Sequence, residues 1–594
     1  MSLILHTKRW LKTKLTNKLI NNILINYDTT NIDFPIFVKK KRLKMSSFSI
    51  KRLYYSLYEE KLVTNIIESY KYFSFEKVKE LVDDNLSLLI FNRNYNAILK
   101  GALSSEDEES TLRYLIGAIL SNVKVLDTVT FAHLSASEKY SSTVQESLSY
   151  CIDSELLSKS DRLILATYMG EILNVNVMKL NPHIAIRYCL MVEDWSSIIK
   201  LYKKERLNYN NKNVLNSIFM ACLNMGDLAK AQFLYINNKE KLSNSNVCNY
   251  HFSRGDFISG YQEMKDRDMS MKCRVIFPDT YKQSIESLPN DENIIVLNSW
   301  GVGDDIRYST LIPDLSKKFR KLQITCEPRL YSLFKNIYPR VKFLKTRRTK
   351  VVTIDNFKEY NNLLSYDLHH LMDNTLVTKI SDDLEHFTLI TDVVTQLKPS
   401  LIKLEPDKIL AEDLDNKLLI DNFISGLVEK HKPIVGICWR SMISGTGRNS
   451  HYFDLDSLLE CVKNRGVILV CLQYDLCSED QSIAERYSEY IDYYVPPIDL
   501  KNDFSSVLYL MMRLDFIVSA GTAVLELAGL SGTKTFLLSN SYMQRYRFSE
   551  CGNALTLTDH WFSNIEIVKD FEKLSKPKIL RNTFNLIKKN IDEE

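Results

Sequence analysis

The sequence predicts an α + α/β protein, with a helical N-terminal half followed by two successive α/β units. Three observations carry this. Between Ser46 and Arg267 apolar residues recur every three or four positions, with few strand-like runs. From about Asn290 onward the pattern becomes a short β-branched run, a turn and an amphipathic stretch, repeated. A charged helical stretch from Glu405 to Lys432 then divides the second half in two. At 594 residues, 45% hydrophobic and 25% charged, the chain has material for several cores. Its formal net charge of +4 is small for this length and argues against a dedicated nucleic-acid binder.

Residues 1–45 read as a basic tail. They carry Lys8, Arg9, Lys12, Lys14, Lys18, Lys39, Lys40, Lys41, Arg42 and Lys44 against only Asp28 and Asp33. Three readings fit: a disordered, solvated tail, an arm making weak contact with a membrane surface or with phosphates, or sequence upstream of a start at Met45. No apolar segment approaches the roughly 18 to 20 residues that cross a bilayer, and Leu3 to Leu5 is too short for the core of a signal peptide. The eleven cysteines are scattered, without a C-x-x-C pair or zinc-like spacing, which fits reduced thiols in a cytoplasmic protein.

Residues 46–270 are expected to be helical, and their later part repeats. Asp194-Trp-Ser-Ser-Ile-Ile-Lys-Leu-Tyr202, Gly226-Asp-Leu-Ala-Lys-Ala-Gln-Phe-Leu-Tyr235 and Gly255-Asp-Phe-Ile-Ser-Gly-Tyr-Gln-Glu-Met264 share an Asp, then an aromatic residue or Leu, then an amphipathic helix. The Asp recurs after about 33 and then about 29 residues, near the period of helix-turn-helix solenoids. Neither helix of such a pair can bury its apolar face alone, so pairs stack, and small residues such as Ala221 and Ala231 let neighbours approach. The units resemble degenerate tetratricopeptide repeats. Such a solenoid serves either as a protein-docking surface or as a prop for the rest of the chain.

The first α/β unit spans 290–405. Ile294 to Leu297 suits a strand buried on both faces. Gly301 and Gly303 then permit a tight turn and close approach by a ligand. Ile306, Tyr308, Leu311, Ile312 and Leu315 follow at helical spacing, so Asp304 falls in the first helical turn. A carboxylate there is either a helix cap or an acid held at a cleft. Asp305 is its rival, because adjacent helical residues diverge by about 100 degrees and only one of them faces the cleft well. Leu322 to Cys326 reads as a second strand, Pro328 to Ile337 as a helix and Val341 to Leu344 as a third strand. A less regular stretch holds Tyr366, Asp367, His369 and His370; on a strand the two histidines point to opposite faces, which makes them poor joint metal ligands.

The second α/β unit spans 431–562, with a helical segment after it over 563–594. Its strands are Pro433 to Trp439, Val467 to Leu472, Phe516 to Ser519 and Thr535 to Leu538. Two such units imply paired Rossmann-like domains, whose ligands meet the carboxyl ends of the strands. Arg440, a glycine-containing loop and Arg448 follow the first of these strands; two guanidinium groups there can clamp a diphosphate. Ser519-Ala-Gly-Thr-Ala-Val524 follows the third, and Gly521 and Thr522 lead into a helix whose free N–H groups make an anion site. Glu526, one turn further in, is in reach of ribose hydroxyls. Asp454-Leu-Asp456 looks like a metal signature, but these acids open a helix, where they cap it and complement its dipole.

These residues carry a resemblance. Gly255-Asp-Phe-Ile-Ser-Gly-Tyr-Gln-Glu-Met264, Gly301-Val-Gly-Asp-Asp-Ile-Arg307, Cys326-Glu-Pro-Arg-Leu-Tyr-Ser-Leu-Phe334, Val435-Gly-Ile-Cys-Trp-Arg-Ser441, Arg448-Asn-Ser-His-Tyr452, Leu472-Gln-Tyr474, Ser519-Ala-Gly-Thr-Ala-Val524 and Leu527-Ala-Gly529 stand in a telling order and spacing. Over roughly Asp194 to Phe562 the chain resembles bacterial tetratricopeptide-repeat glycosyltransferases, whose catalytic half is similar to the heptosyltransferases and has the two-Rossmann GT-B fold. The resemblance implies transfer of a sugar from a nucleotide-sugar donor, held by the second unit, to a protein or surface-glycan acceptor held mainly by the first.

It makes Asp304 the general base, with Gly301 and Gly303 supporting the turn. It makes Arg440, Arg448, Ser519, Gly521, Thr522 and Glu526 donor-binding residues, and Gln473 a contact to the nucleotide base. Arginines and helix N–H groups then absorb the leaving-group charge, so neither a metal nor a cofactor beyond the co-substrate is expected. One departure stands out: heptosyltransferases typically carry Asp-Thr and a later His where this chain has Gly521-Thr522 and Glu526. The alternative is a catalytically inactive scaffold that binds protein partners. A sugar-nucleotide epimerase fits less well, because no G-x-G-x-x-G follows the first strand.

Overall fold

The computed structural model describes residues 62–69, 74–91, 97–98, 101, 114, 116, 185–186, 189–190, 194–205, 211–264, 268–290, 292–299, 301–349, 356–364, 366–382, 385–401, 403–410, 413–441, 452–549 and 554–593. The basic tail over 1–45, most of the helical stretch between 46 and 181, and the loop over 442–451 with Arg448 lie outside the described residues. The chain divides into two compact units, 1–161 and 162–594. In the first, helix α1 (Phe75–Phe91) buries Phe75, Val78, Val82 and Leu89 along one stripe.

The second unit opens with helices α2 (Trp195–Glu205), α3 (Lys212–Asn224), α4 (Leu228–Asn238), α5 (Asn244–Ser253), α6 (Phe257–Met264) and α7 (Asp268–Ile276). The aspartate shared by the three sequence repeats is a helix cap. Asp194 accepts the Ser197 N–H at 3.0 Å, Asp227 that of Lys230 at 3.1 Å and Asp256 that of Ser259 at 3.0 Å. Gly226 and Gly255, at φ of 69° and 74°, end the preceding helices in the left-handed conformation that glycine tolerates best. Leu215, Ile218, Phe219, Cys222, Ala231 and Leu234 form part of the apolar cluster between these helices.

Strands β1 (Asn293–Leu297), β2 (Lys321–Cys326), β3 (Lys342–Lys345) and β4 (His386–Leu389) form a parallel sheet in the order β3-β2-β1-β4. β4 is too short to stand out in the sequence; its place is set by pairing, with Ile294 opposite His386. Helix α8 (Val302–Tyr308) follows β1, α9 (Ile312–Lys318) comes next, and α10 (Tyr331–Ile337) follows β2. His369 and His370 lie on a 3-10 turn, Tyr366–His370, rather than on a strand. The His369 Nδ1 is 2.9 Å from the Thr349 carbonyl, and the two imidazole rings are 4.1 Å apart.

The last sheet contains β5 (Ile434–Cys438), β6 (Ile468–Cys471), β7 (Asp492–Tyr494), β8 (Phe516–Ala520), β9 (Lys534–Leu538), β10 (Phe548–Ser549), β11 (Thr556–Asp559) and β12 (Ile565–Val568). Its order is β10-β11-β12-β9-β8-β5-β6-β7, parallel from β12 to β7. Helix α11 (Leu455–Val462) is capped by Asp454, which accepts the Ser457 N–H at 2.7 Å. Helices α12 (Ser478–Arg486), α13 (Phe504–Met511) and α14 (Ala523–Ser531) follow β6, β7 and β8. The segment over 563–594 is not helical throughout, because Ile565, Ile567 and Val568 form β12 against β9; helix α15 occupies Lys576–Glu593.

One apolar cluster runs from Phe252 and Tyr261 in the helical region through Ile306 and Tyr308 to Leu525, Trp561 and Phe562. It surrounds the point where α8 and α14 meet.

Candidate functional site

Both sheets change winding direction next to their first strand, between β1 and β4 and between β5 and β8. Such switch points open a crevice at the carboxyl ends of the strands. Asn298, Ser299 and residues 301–304 leave one of them; Arg440 and Gly521 leave the other.

The exit from β1 is fastened to β2. Asn298 N–H donates to Thr325 Oγ1 at 2.8 Å and Asn298 Nδ2 to the Thr325 carbonyl at 3.0 Å. Gly301 is the N-cap of α8, and its N–H donates to Asp304 Oδ2 at 3.1 Å. Asp304 is therefore a cap. Its Oδ1 has the Arg307 guanidinium at 3.5 Å, and the side chain keeps 23% exposure. Burial pushes Asp304 above the ordinary carboxylate range, while Arg307 and the Gly301 N–H pull the other way.

Asp305 is fully buried and committed. Both of its oxygens accept from Arg348, at 2.8 and 2.7 Å, and Oδ2 also accepts the Glu327 N–H at 2.9 Å. Burial holds its pKa up at about 6 against the pull of Arg348.

The two expected glycines differ. Gly301 has a φ of −100°, and among the described residues an added Cβ would meet Asp304 Oδ2 alone, at 3.7 Å. A Cβ on Gly303 would come within 3.3 Å of both Ala523 Cα and Glu526 Cγ. Gly303 thus lets α8 of one α/β unit lie against α14 of the other, so the close approach it permits is made by a helix.

That contact carries a buried ionic cluster. Glu526 is 2% exposed; its Oε1 accepts from Arg307 at 2.5 Å and from Arg547 at 2.6 Å, and its Oε2 accepts from Arg547 at 3.0 Å. Arg547 also donates through Nε to Asp559 at 2.8 Å. Burial works to raise Glu526, but the two guanidinium groups outweigh it and hold its pKa below the ordinary value. Arg307 Nη1 donates to the Tyr546 hydroxyl at 3.0 Å, and the Tyr546 ring packs on Phe252 of α5 with centroids 4.6 Å apart.

The other expected donor residues form a separate network. Arg440 grips Asp475 through Nη1 at 3.2 and 3.1 Å, and through Nη2 reaches the Asp475 carbonyl at 2.9 Å and Asp480 at 2.5 Å. Gln473, 1% exposed, accepts the Arg440 N–H at 3.2 Å and donates to Asp475 at 2.8 Å. The Cys438 thiol joins the two groups, 3.5 Å from Gln473 Oε1 and 3.8 Å from Thr522 Oγ1. Thr522 caps α14 by accepting the Val524 N–H at 3.2 Å, and Ser519 Oγ donates to the Ala520 carbonyl at 2.9 Å. Gln544 lies over Gly521, its Nε2 3.5 Å from where a Cβ would sit.

Asp304, Gly301, Gly303 and Glu526 are thus brought together, and Gly521 and Thr522 stand at the start of the same α14 that Gly303 touches. Arg440 and Gln473 turn on Asp475 and are linked to Thr522 through the Cys438 thiol. Sequence reasoning gave no role to Arg307, Tyr546 or Arg547. Arg307 lies inside the Gly301 motif, and the basic and aromatic run Arg545-Tyr546-Arg547 after β9 was the available signal. A cavity of about 320 Å³ between Asn336, Leu410 and Phe504 shares no residue with this group. Among the described residues no group of three or more His, Cys, Asp or Glu is placed to hold a metal, and no helix is long and apolar enough to cross a membrane.

No family model matches the chain. It is 22% identical over 260 residues to Protein FlbA of Caulobacter vibrioides, a match covering 42% of this chain and 40% of that protein. The chain thus spans about two fifths of the length of the curated relative it matches. Among solved structures, it is similar to a glycosyl transferase family 9 protein from Veillonella parvula, at 10% identity and a TM-score of 0.31, covering 50% of this chain and 95% of that one. The heptosyltransferase WaaC of E. coli aligns at 11% identity and a TM-score of 0.29, over 51% of this chain and 99% of that one. An E. coli ADP-heptose lps heptosyltransferase II aligns at 10% identity and a TM-score of 0.29, over 50% and 99%.

Proposed function

We propose that the chain is a glycosyltransferase that moves a sugar from a nucleotide-sugar donor to a protein or surface-glycan acceptor, without a metal, with Asp304 as general base. The observation that carries this reading is the meeting of two crevice-forming turns. Asp304 stands one turn into α8, and Gly303 of the same turn lies against the start of α14, where Gly521 and Thr522 leave β8. A base from one unit and helix N–H groups from the other then act on one donor–acceptor pair.

Direct displacement at the anomeric carbon follows. Asp304 takes the proton of the acceptor hydroxyl as its oxygen bonds to the sugar, and the nucleoside diphosphate departs with the bonding electron pair. A carboxyl whose pKa is raised by burial is closer to the match a base needs near neutrality. Gly521 and Thr522 begin the anion-binding helix start. Arg440 adds charge to the diphosphate once it exchanges Asp475 or Asp480 for it, and Arg448, as in the sequence reading, is the second arginine of that clamp. Helices α2 to α7 dock a protein acceptor as a solenoid of tetratricopeptide-like repeats.

A second reading, an inactive scaffold, draws on one specific observation. Arg440 is already matched by two carboxylates, and the ribose contact expected of Glu526 is replaced by two guanidinium groups. Thermal shift with a panel of nucleotides, followed by nucleotide release from the corresponding sugar donors, separates the two. The transferase reading expects a nucleotide to raise Tm and Asp304→Ala to remove transfer. Absence of any stabilising nucleotide supports the scaffold, whereas full transfer by Asp304→Ala removes Asp304 as the base and leaves the chain a transferase.

A further inference from the structure

The Arg307 guanidinium has three acceptors, and two of them come from the opposite α/β unit. Its Nη2 is 2.5 Å from Glu526 Oε1 on α14, its Nη1 is 3.0 Å from the Tyr546 hydroxyl, and the same Nη1 stands 3.5 Å from Asp304 Oδ1. The two short contacts draw the guanidinium away from the third. Glu526 is held in turn by Arg547, and the Tyr546 ring by Phe252.

We propose that Arg307 is a positioning residue for Asp304, and that Glu526 and the Tyr546 hydroxyl hold it at the long end of contact with the carboxylate, at 3.5 Å, rather than in a short ion pair. This deepens the transferase reading and rests on it. A guanidinium in full contact would suppress the basicity of Asp304 and occupy the oxygen that must take the acceptor's proton. With Arg307 absent, burial alone would leave the acid protonated to higher pH. The other groups facing Asp304 are Asp305 and Tyr308 on its own helix, Arg348 beyond β3, and Tyr261 on α6. None of the variants below alters them.

The test is the sign of a shift. The acid limb of the transfer pH profile should rise by about one unit in Arg307→Gln, recover in part in Arg307→Lys, and fall in Glu526→Gln and Tyr546→Phe. A merely structural role lowers Tm in each variant and moves no limb. A readout without turnover is the pH dependence of Tm for each protein against its Asp304→Asn counterpart. Burial raises the folded pKa, so the stability Asp304 contributes is present below its ordinary value and lost as pH rises through the folded value. That break should move in the same directions as the limb. If the breaks move while no sugar nucleotide is turned over, the positioning role stands and the transferase reading falls. If transfer is observed and neither limb nor break moves in opposite senses for Arg307→Gln and Glu526→Gln, the positioning role is overturned. Tyr546→Phe removes a single hydroxyl and carries the test should Arg307→Gln fail to fold.

Discussion

At the carboxyl end of β1 the acid Asp304 keeps part of its side chain in solvent, with its nearest cation at 3.5 Å, whereas at the carboxyl end of β5 the base Arg440 is gripped by two carboxylates and a carbonyl. Glu526, on the helix facing Asp304, is closed in the same way by two guanidinium groups. Equivalent places in the parallel parts of the two sheets have thus reached opposite states. In the second unit these two charges have found partners within the protein, which offsets their desolvation but leaves them little to offer a ligand. In the first unit one charge is left under-committed at a crevice, and perturbed, under-paired groups in such places are where chemistry is sought.

The contrast can be broken at several points. Asp304→Asn should lower transfer by about 10² to 10⁴-fold while nucleotides still raise Tm, as expected for loss of a general base; unaltered transfer would make Asp304 only the cap of α8. Glu526→Ala removes the acceptor that Arg307 and Arg547 share, leaving Arg307 to Tyr546 and Asp304 and Arg547 to Asp559, so it should cost about 3 kcal/mol in urea unfolding. A raised donor KM with stability unchanged would instead return Glu526 to the role of a ribose ligand. Gly303→Val pushes side-chain atoms against Ala523 and should destabilise by about 1 to 3 kcal/mol, whereas Gly301→Ala, among the described residues, meets only an oxygen at 3.7 Å and should not unfold α8. Asp227→Ala, in the helical region, should cost about 1 kcal/mol through loss of a cap, and nucleotide-induced shifts should be unaltered.

Much of the architecture was legible in the residues. The apolar runs Ile294 to Leu297 and Ile434 to Cys438 form central strands because each is buried on both faces, which only a continuous apolar run satisfies. The aspartates shared by Asp194-Trp, Gly226-Asp and Gly255-Asp cap helices because an Asx side chain can reach an N–H three residues ahead wherever a helix starts. β4 and β7 were not legible. They are four and three residues long, and His386 or Asp492 gives no periodic signal. The partners of Glu526 were also hidden, because Arg307 and Arg547 lie far from it along the chain.

The sequence by itself determined the order of elements, the glycine turns after β1 and β8, and the presence of an acid one turn into α8, since these rest on local backbone and capping preferences. Only the tertiary structure decided which acid is available. Asp304 and Asp305 are neighbours of the same chemistry. One turns toward Arg348 and the Glu327 N–H and is consumed; the other turns toward the junction of α8 with α14 and keeps an oxygen in reach of solvent. A carboxylate's basicity depends on the dielectric and the charges within a few ångströms of it, and those arrive here from Arg307, Glu526 and Arg348, which the fold alone brings together.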